Sequence, residues 1–337
     1  MSMSKHHNVR SRPRCIVSVS PPGPRAGRSF PVSSLAAGGN PVSRTSRPRI
    51  LVLGATGKVG GAVLRHLAGR DGIVVRAACR TEDARNRLQG VAQECVRFDF
   101  DAPGSYGSAL DGVDRLFLLT GYSVDMLHHS KFLIDRAAEA GVTHVVHLGT
   151  HAPDDTAFRH HAWHQLVERY IEWRGLGFTH LRPGMFMVNI LDYARANRDR
   201  PGVLVHYTGE ARVAWVDVDD IGAAAARILG APGDHRGRTY FLDSEAISMS
   251  EVAAILQAKT GQDWRYEHRD AAELTPRLLA AGREATYASS GVAYFQAVAA
   301  GHAPDADRTH GTLERLIGRA PTRWADFARR HRAEFLR

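Results

Sequence analysis

Gly54, Gly57 and Gly60 stand at three-residue spacing directly after the apolar run Ile50-Leu51-Val52-Leu53. These residue types suit one kind of chemistry, the holding of a diphosphate against bare main chain. At Gly54 the chain can turn sharply off a strand. At Gly57 the missing Cβ lets a pyrophosphate approach the backbone, and at Gly60 a following helix can pack closely on a sheet. That helix would aim unpaired N–H groups at the anion, which adds Thr56, Lys58 and Val59 to the expected contacts. A Walker-type phosphate loop is excluded, because Val59 follows Gly57-Lys58 and Val52 stands where a glycine is needed. The alternative is a tight strand-to-helix turn that binds nothing.

A second set of residues could move protons. His164 is a candidate acid, since an imidazole with an ordinary pKa of about 6.5 can donate near neutral pH. Hydride reduction needs one proton to follow the hydride unless solvent supplies it. Glu168 lies one helical turn on, where it could orient or charge the ring. The alternative for His164 is a packing or surface role. Tyr122 could supply a proton as well, or could simply line the site. His160 and His164 share the i, i+4 spacing of metal ligands, but no third ligand follows and the HExxH arrangement is missing. His144 and His147 would point to opposite faces of a strand. No metal is expected.

The elements that position these residues alternate between two periods. After the first strand, Ala62-Val63-Leu64-Arg65-His66-Leu67 repeats its apolar residues at helical spacing. Further strands are expected at 73–79, 95–98, 116–119, 143–148 and 178–181, the last closed by Arg182-Pro183-Gly184. Helices are expected at 81–88 with Thr81 as N-cap, at 126–140 and at 161–173. Such a rhythm implies an α/β fold, a doubly wound parallel-sheet Rossmann architecture with helices on both faces. Beyond Asn189 the rhythm loosens. Short strands are expected at 214–216, 239–242 and 264–266. Asp220 is expected to cap a helix over 221–229, and Ser248 or Ser250 to open another with Glu251, stopped at Gly261. The expected organisation is a disordered basic extension over 1–47, a nucleotide-binding domain over 48–190, and a smaller substrate-side lobe over 191–337 interleaved with the main sheet.

Ligands of such a sheet lie beyond the carboxyl ends of its strands. Arg80 ends the second strand, where a guanidinium suits a ribose 2′-phosphate and an acid would suit a free hydroxyl. NADP(H) is therefore favoured over NAD(H), with Glu82 and Asp83 nearby as the opposing signal. Asp99 could reach the adenine, with Phe100 beside it, or could cap the turn before Pro103. Leu119, Thr120 and Gly121 end one strand and Gly149, Thr150 and His151 another, so both loops should line the nicotinamide. Pro183 and Phe186 should close that side. Met185, Phe186 and Met187 could wall a flat substrate, although such a run is also ordinary core.

The formal net charge of +9 looks suggestive of nucleic acid until it is located. Residues 1–49 hold nine bases and no acid, so residues 50–337 carry 35 of each sign. A neutral body argues against a nucleic-acid groove. The extension reads as a transit-like segment or as the result of a start codon placed too early, with the true start near Val42, and its Pro-rich 20–24 stretch favours the second. No apolar run is long enough to span a bilayer. Three cysteines without metal-type spacing suit a reducing, cytoplasmic setting.

Short-chain dehydrogenases usually carry a Tyr and a Lys four residues apart on the helix after the fifth strand. Here Arg174 follows Tyr170 at that spacing. The glycine turn Gly54–Gly60, the run Leu181-Arg182-Pro183-Gly184-Met185-Phe186-Met187-Val188-Asn189 and the segment Val216-Asp217-Val218-Asp219-Asp220-Ile221 together resemble the NmrA-like family of atypical short-chain dehydrogenases. The resemblance covers about residues 49–230 well. It implies a protein that binds NADP(H) or NAD(H). Some members reduce quinones, azo or triphenylmethane dyes, imines or aryl ethers, and others serve as nucleotide-sensing regulators. Many carry a Lys eleven residues before the glycine that matches Gly175. This chain has His164 there, which points to the quinone- and azo-reductase-like branch and puts a Lys-based mechanism in doubt. The expected partner is a flat or conjugated small molecule, with oligomerisation left open. An epimerase or lyase is weakened by the missing Tyr and Lys.

Overall fold

The computed structural model describes residues 47–121, 123–197 and 199–336. All of the basic extension except Arg47 lies outside these residues, as does Tyr122. The first strand, β1 (Arg49–Val52), alternates its side chains between two cores. Ile50 and Val52 face one apolar cluster, Leu51 and Leu53 the other. That period of two, apolar on both faces, marks a strand buried between helical layers. Then come α1 (Lys58–Leu67), β2 (Val74–Cys79), α2 (Glu82–Leu88), β3 (Glu94–Arg97), α3 (Tyr106–Leu110) and β4 (Arg115–Leu118). They are followed by α4 (Met126–Glu139), β5 (His144–Leu148), α5 (Arg159–Trp173) and β6 (Gly177–Pro183). Thr81 caps α2 as expected, its side chain accepting the Ala84 N–H at 3.2 Å.

The remaining strands and α-helices are β7 (Met185–Phe186), α6 (Val188–Ala196), β8 (Val203–His206), β9 (Val213–Val216), α7 (Val218–Gly230), β10 (Arg238–Leu242), β11 (Glu245–Ile247), α8 (Met249–Thr260), β12 (Arg265–His268), α9 (Leu274–Ala280), α10 (Ala285–Ala299), α11 (Thr312–Ile317), α12 (Trp324–Arg330) and α13 (Arg332–Phe335). The main sheet runs β3-β2-β1-β4-β5-β6-β10, seven strands, every neighbouring pair parallel. The order reverses between β1 and β4, and a crevice opens at such a switch point beyond the strand ends. One face is covered by α1, α7 and α11, the other by α3, α4 and α5. Close packing of α1 on α7 needs Gly222, where a Cβ would lie 2.7 Å from the Ala62 side chain.

Two local expectations are corrected. Asp217, not Asp220, caps α7, its carboxylate accepting the Asp219 N–H at 3.1 Å. Asp220 lies on the buried stripe of that helix and instead accepts the Thr322 N–H at 2.6 Å and pairs with Arg319. Arg182 and Pro183 do not close β6 but belong to it. The segment 239–242, expected as a short strand beyond the main rhythm, is β10, one of the two outer strands of the main sheet, paired with β6 from Arg238↔Thr179 to Leu242↔Pro183. Ser248 opens α8 in a capping box with Glu251, and Gly261 ends it in the left-handed region at φ 78°.

Candidate active site

At Gly54 and Gly60 the glycine crook leaves clearances that only glycine meets. Gly54 has φ +61°, and a Cβ on it would lie 2.3 Å from Leu119 Cδ2. The Gly57 N–H donates to the Gly54 carbonyl at 2.8 Å and closes the turn. A Cβ at Gly60 would come within 2.2 Å of the same carbonyl oxygen and 2.7 Å of that of Leu53. Gly60 therefore fixes how closely α1 seats on β1. At Gly57 the backbone is extended (φ −87°), and the face a side chain would occupy is exposed. The first turn of α1 has no side-chain cap and no acidic residue. Its N–H groups, which have no partner within the helix, are left for an anion. Thr56 and Lys58 are exposed beside this turn. Lys58 Nζ reaches Asp192 Oδ2 at 2.6 Å and Asn189 Oδ1 at 3.4 Å, which straps the crook to α6.

Arg80 follows β2 directly, is exposed, and pairs with none of the described residues. Of the nearby acids, Glu82 leans towards Arg85 at 3.9 Å. Asp99 takes up the turn-capping role, its Oδ1 accepting the Asp101 N–H at 3.2 Å. Phe100 stacks on His129 with ring centres 5.4 Å apart.

At the carboxyl edge of β4, Leu119, Thr120 and Gly121 are half-buried. At that of β5, the Gly149 N–H donates to Leu181 O at 2.8 Å and the His151 N–H to Pro183 O at 3.1 Å. Thr150 stands between them, half-buried. Pro183 is the last residue of β6, and Phe186 pairs in register with Val216 in a small three-stranded sheet. Parallel pairing of β1, β4, β5 and β6 brings Gly54, Leu119–Gly121, Gly149–Thr150 and Pro183 to one edge of the sheet.

His164 does not stand there as a free acid. Its side chain faces the sheet from α5 and is 5% exposed, with Nδ1 3.2 Å from His147 Nε2 on β5. Burial, joined by the neighbouring His147, His160 and His161, holds its pKa well below the ordinary value. Burial therefore favours the neutral ring over the charged, acidic form. Glu168 does not orient it either. Its carboxylate is taken by Arg182, Nε to Oε1 at 3.1 Å and Nη2 to Oε2 at 2.6 Å, and Arg182 also reaches Asp154 and Ala152 O. The physical reason lies in the register of α5. His161, His164, Glu168 and Ile171 form its buried stripe, so the histidines are core.

The fold also assembles side chains that the sequence did not place together. His151, Asp243 and His310 converge from three distant segments. A signal for Asp243 was present, because it follows the apolar end of a strand. Recognising it required knowing that this strand joins the main sheet.

A parallel sheet with a glycine crook at its switch point defines a dinucleotide-binding α/β protein of the short-chain dehydrogenase type. The chain belongs to the NmrA-like family, whose model matches residues 46–307. It is 31% identical over 296 residues to the NAD(P)H azoreductase of Xenophilus azovorans, covering 85% of this chain and 99% of that one. Its fold is similar to that of the Citrobacter sp. triphenylmethane reductase complexed with NADP(H), with a TM-score of 0.71 and 25% identity over 84% of this chain and 99% of that one. A similar match is the NADPH-dependent quinone oxidoreductase of Escherichia coli complexed with NADPH, with a TM-score of 0.71 and 25% identity over 83% and 98% of the two chains.

Proposed function

We propose that this NAD(P)H-dependent oxidoreductase transfers hydride from NADPH to a flat, conjugated small-molecule acceptor of quinone, azo, imine or enone type. The observation that carries the reading is the open crook at α1 with Arg80, exposed and unpaired among the described residues, one strand away. The N–H groups of Lys58, Val59 and Gly60 would hold the diphosphate, and Arg80 would meet the ribose 2′-phosphate through charge-assisted hydrogen bonds. The loops Leu119–Gly121 and Gly149–Thr150, with Pro183 and Phe186, would wall the nicotinamide side. When bound, the nucleotide supplies the hydride, while the protein positions it. No charged imidazole is stocked at His164, and no Tyr–Lys pair stands on α5. Electron-poor acceptors need little acid help as their electron pair shifts to the distal heteroatom, which then takes a proton from solvent. The relatives named as reducing azo compounds, quinones and triphenylmethane dyes support this class of acceptor.

Steady-state oxidation of NADPH and of NADH over a panel of such acceptors tests the reading. Turnover is expected on at least one acceptor, with NADPH preferred. In Arg80→Ala the affinity for NADPH should fall about 10- to 100-fold, the worth of a charge-assisted pair, with NADH nearly unchanged. Equal losses for both nucleotides would remove the case for the 2′-phosphate. Tight NADPH binding without turnover on any acceptor would favour a nucleotide-sensing regulator instead.

A further inference from the structure

We propose that His151, Asp243 and His310 form a binding site for a divalent transition ion of the zinc type, separate from the glycine crook. His151 lies just past β5, Asp243 just past β10 and His310 just before α11. One ligand atom from each residue lies within 4.8 Å of the others. His310 Nδ1 is 2.8 Å from Asp243 Oδ2, and His151 Nε2 is 3.6 Å from that same oxygen. Zinc bonds of about 2.0–2.2 Å in a tetrahedral shell set ligand atoms about 3.3 Å apart, between these two values.

A second observation points to a ligand. The His151 side chain is 7% exposed, and its Nε2 has no hydrogen-bond partner among the described residues. At 3.6 Å it is too far from the carboxylate for a hydrogen bond, yet it is directed at it. A buried ring nitrogen without a partner is costly; five other histidines among the described residues have one too, so the case for an ion rests on the carboxylate oxygen 3.6 Å from His151 Nε2 and on His310 beside it. An ion between His151 and Asp243 would satisfy both groups.

The surroundings hold the three groups in place. The His310 main-chain N–H donates to Asp243 Oδ1 at 2.8 Å, which anchors one carboxylate oxygen and leaves Oδ2 to ligate. Phe241 stacks on the His310 ring at 4.3 Å and meets the His151 ring edge-on at 5.1 Å. Burial acts to raise the Asp243 pKa, but His151 and His310 more than offset it and keep the group below the usual carboxylate range. His310 Nδ1 and Asp243 Oδ2 share a hydrogen bond at 2.8 Å, which an ion between them would replace. A cavity of about 380 Å³, lined by His310, Phe241, Arg169, Arg182 and Arg308 among others, borders the cluster on its His310 side. Two imidazoles, one carboxylate and an open position suit Zn(II) or a similar ion. A second grouping, His147, Glu168 and His180, has the required spacing but not the chemistry, because Arg182 already forks its carboxylate.

Titration of the full chain with Co(II), followed by displacement with Zn(II), tests the site. One Co(II) per chain should bind with the visible bands of a four-coordinate centre. The affinity should drop at least about thirtyfold in His151→Leu and in His310→Phe, with far-ultraviolet dichroism unchanged. Absence of the bands, or wild-type affinity in either variant, would overturn the proposal. So would a near-ultraviolet thiolate band, which would put the ion on a cysteine. Should a variant fail to fold, anomalous scattering from a Zn(II)-soaked crystal of the unaltered chain decides: a peak between these three side chains supports the site, and a peak elsewhere or none refutes it.

Discussion

Gly57→Val should fold normally and lose NADPH binding by at least about 100-fold, close to 3 kcal/mol. Among the crook glycines this position separates folding from binding. Its backbone is extended and accepts a side chain, and the nearest atom to an added Cβ is Gly54 O at 3.2 Å, so a shift of a few tenths of an ångström accommodates it. The stability cost should stay within about 1 kcal/mol. The valine branches would then stand where a diphosphate must approach the first turn of α1. Gly60→Ala is a poorer test, because its Cβ would meet Gly54 O at 2.2 Å and disturb the packing itself. Calorimetric titration with NADPH, beside a thermal melt of the same sample, checks the prediction. Unchanged affinity in a folded Gly57→Val protein would remove the crook as the nucleotide site.

Acid should unfold this protein well above the pH at which carboxylates titrate. Among the described residues, His144, His147, His161, His164, His180 and His206 are buried. Burial is the largest cause in each case, and it lowers His144 and His147 to about 4, His161 and His206 to about 3 and His180 to about 2. His164 moves in the same direction. Each folded pKa lies below the unfolded value of about 6.5, so the unfolded chain takes up the extra protons as pH falls. The stabilisation is complete above about pH 6.5 and is lost as pH drops towards the folded values. At about pH 5 each of the five other than His164 favours unfolding by about 2 kcal/mol. Together these five approach on the order of 10 kcal/mol, comparable to the whole stability of a typical domain. The urea midpoint should therefore fall by more than half between about pH 7.5 and about pH 5. A midpoint that stays level over that range would show that these rings are solvated or already charged.

Residues differ in how much of this was legible before folding. The crook could be read because its constraint is local. Gly54 needs a left-handed φ and Gly60 needs clearance to a carbonyl six positions earlier, so the residue types themselves record the geometry. The rhythm of alternating strands and helices through β6 was readable for the same reason, since each period is a local pattern. The place of β10 in the main sheet was not. Its pairing with β6 spans some sixty residues of chain, and nothing in Thr239-Tyr240-Phe241-Leu242 distinguishes an outer strand of the large sheet from one in the smaller lobe. With β10 unplaced, Asp243 could not be set beside His151, and the cluster with His310 went unseen. His164 shows a different limit. Its polar character suggested a site role, but it shares the buried spacing of His161, Glu168 and Ile171. That stripe was present in the sequence and marks the helix face that docks on β5. Asp220 repeats the lesson on α7, where the buried stripe claims an acid that its position alone would have made a cap.

The most direct measurement is a crystal of the chain grown with NADPH. The nucleotide should lie along the carboxyl edge of the sheet, with its bridging phosphates within about 3 Å of the main-chain nitrogens of Lys58, Val59 and Gly60. NADPH density elsewhere on the molecule, with that turn of α1 left to solvent, would contradict the account.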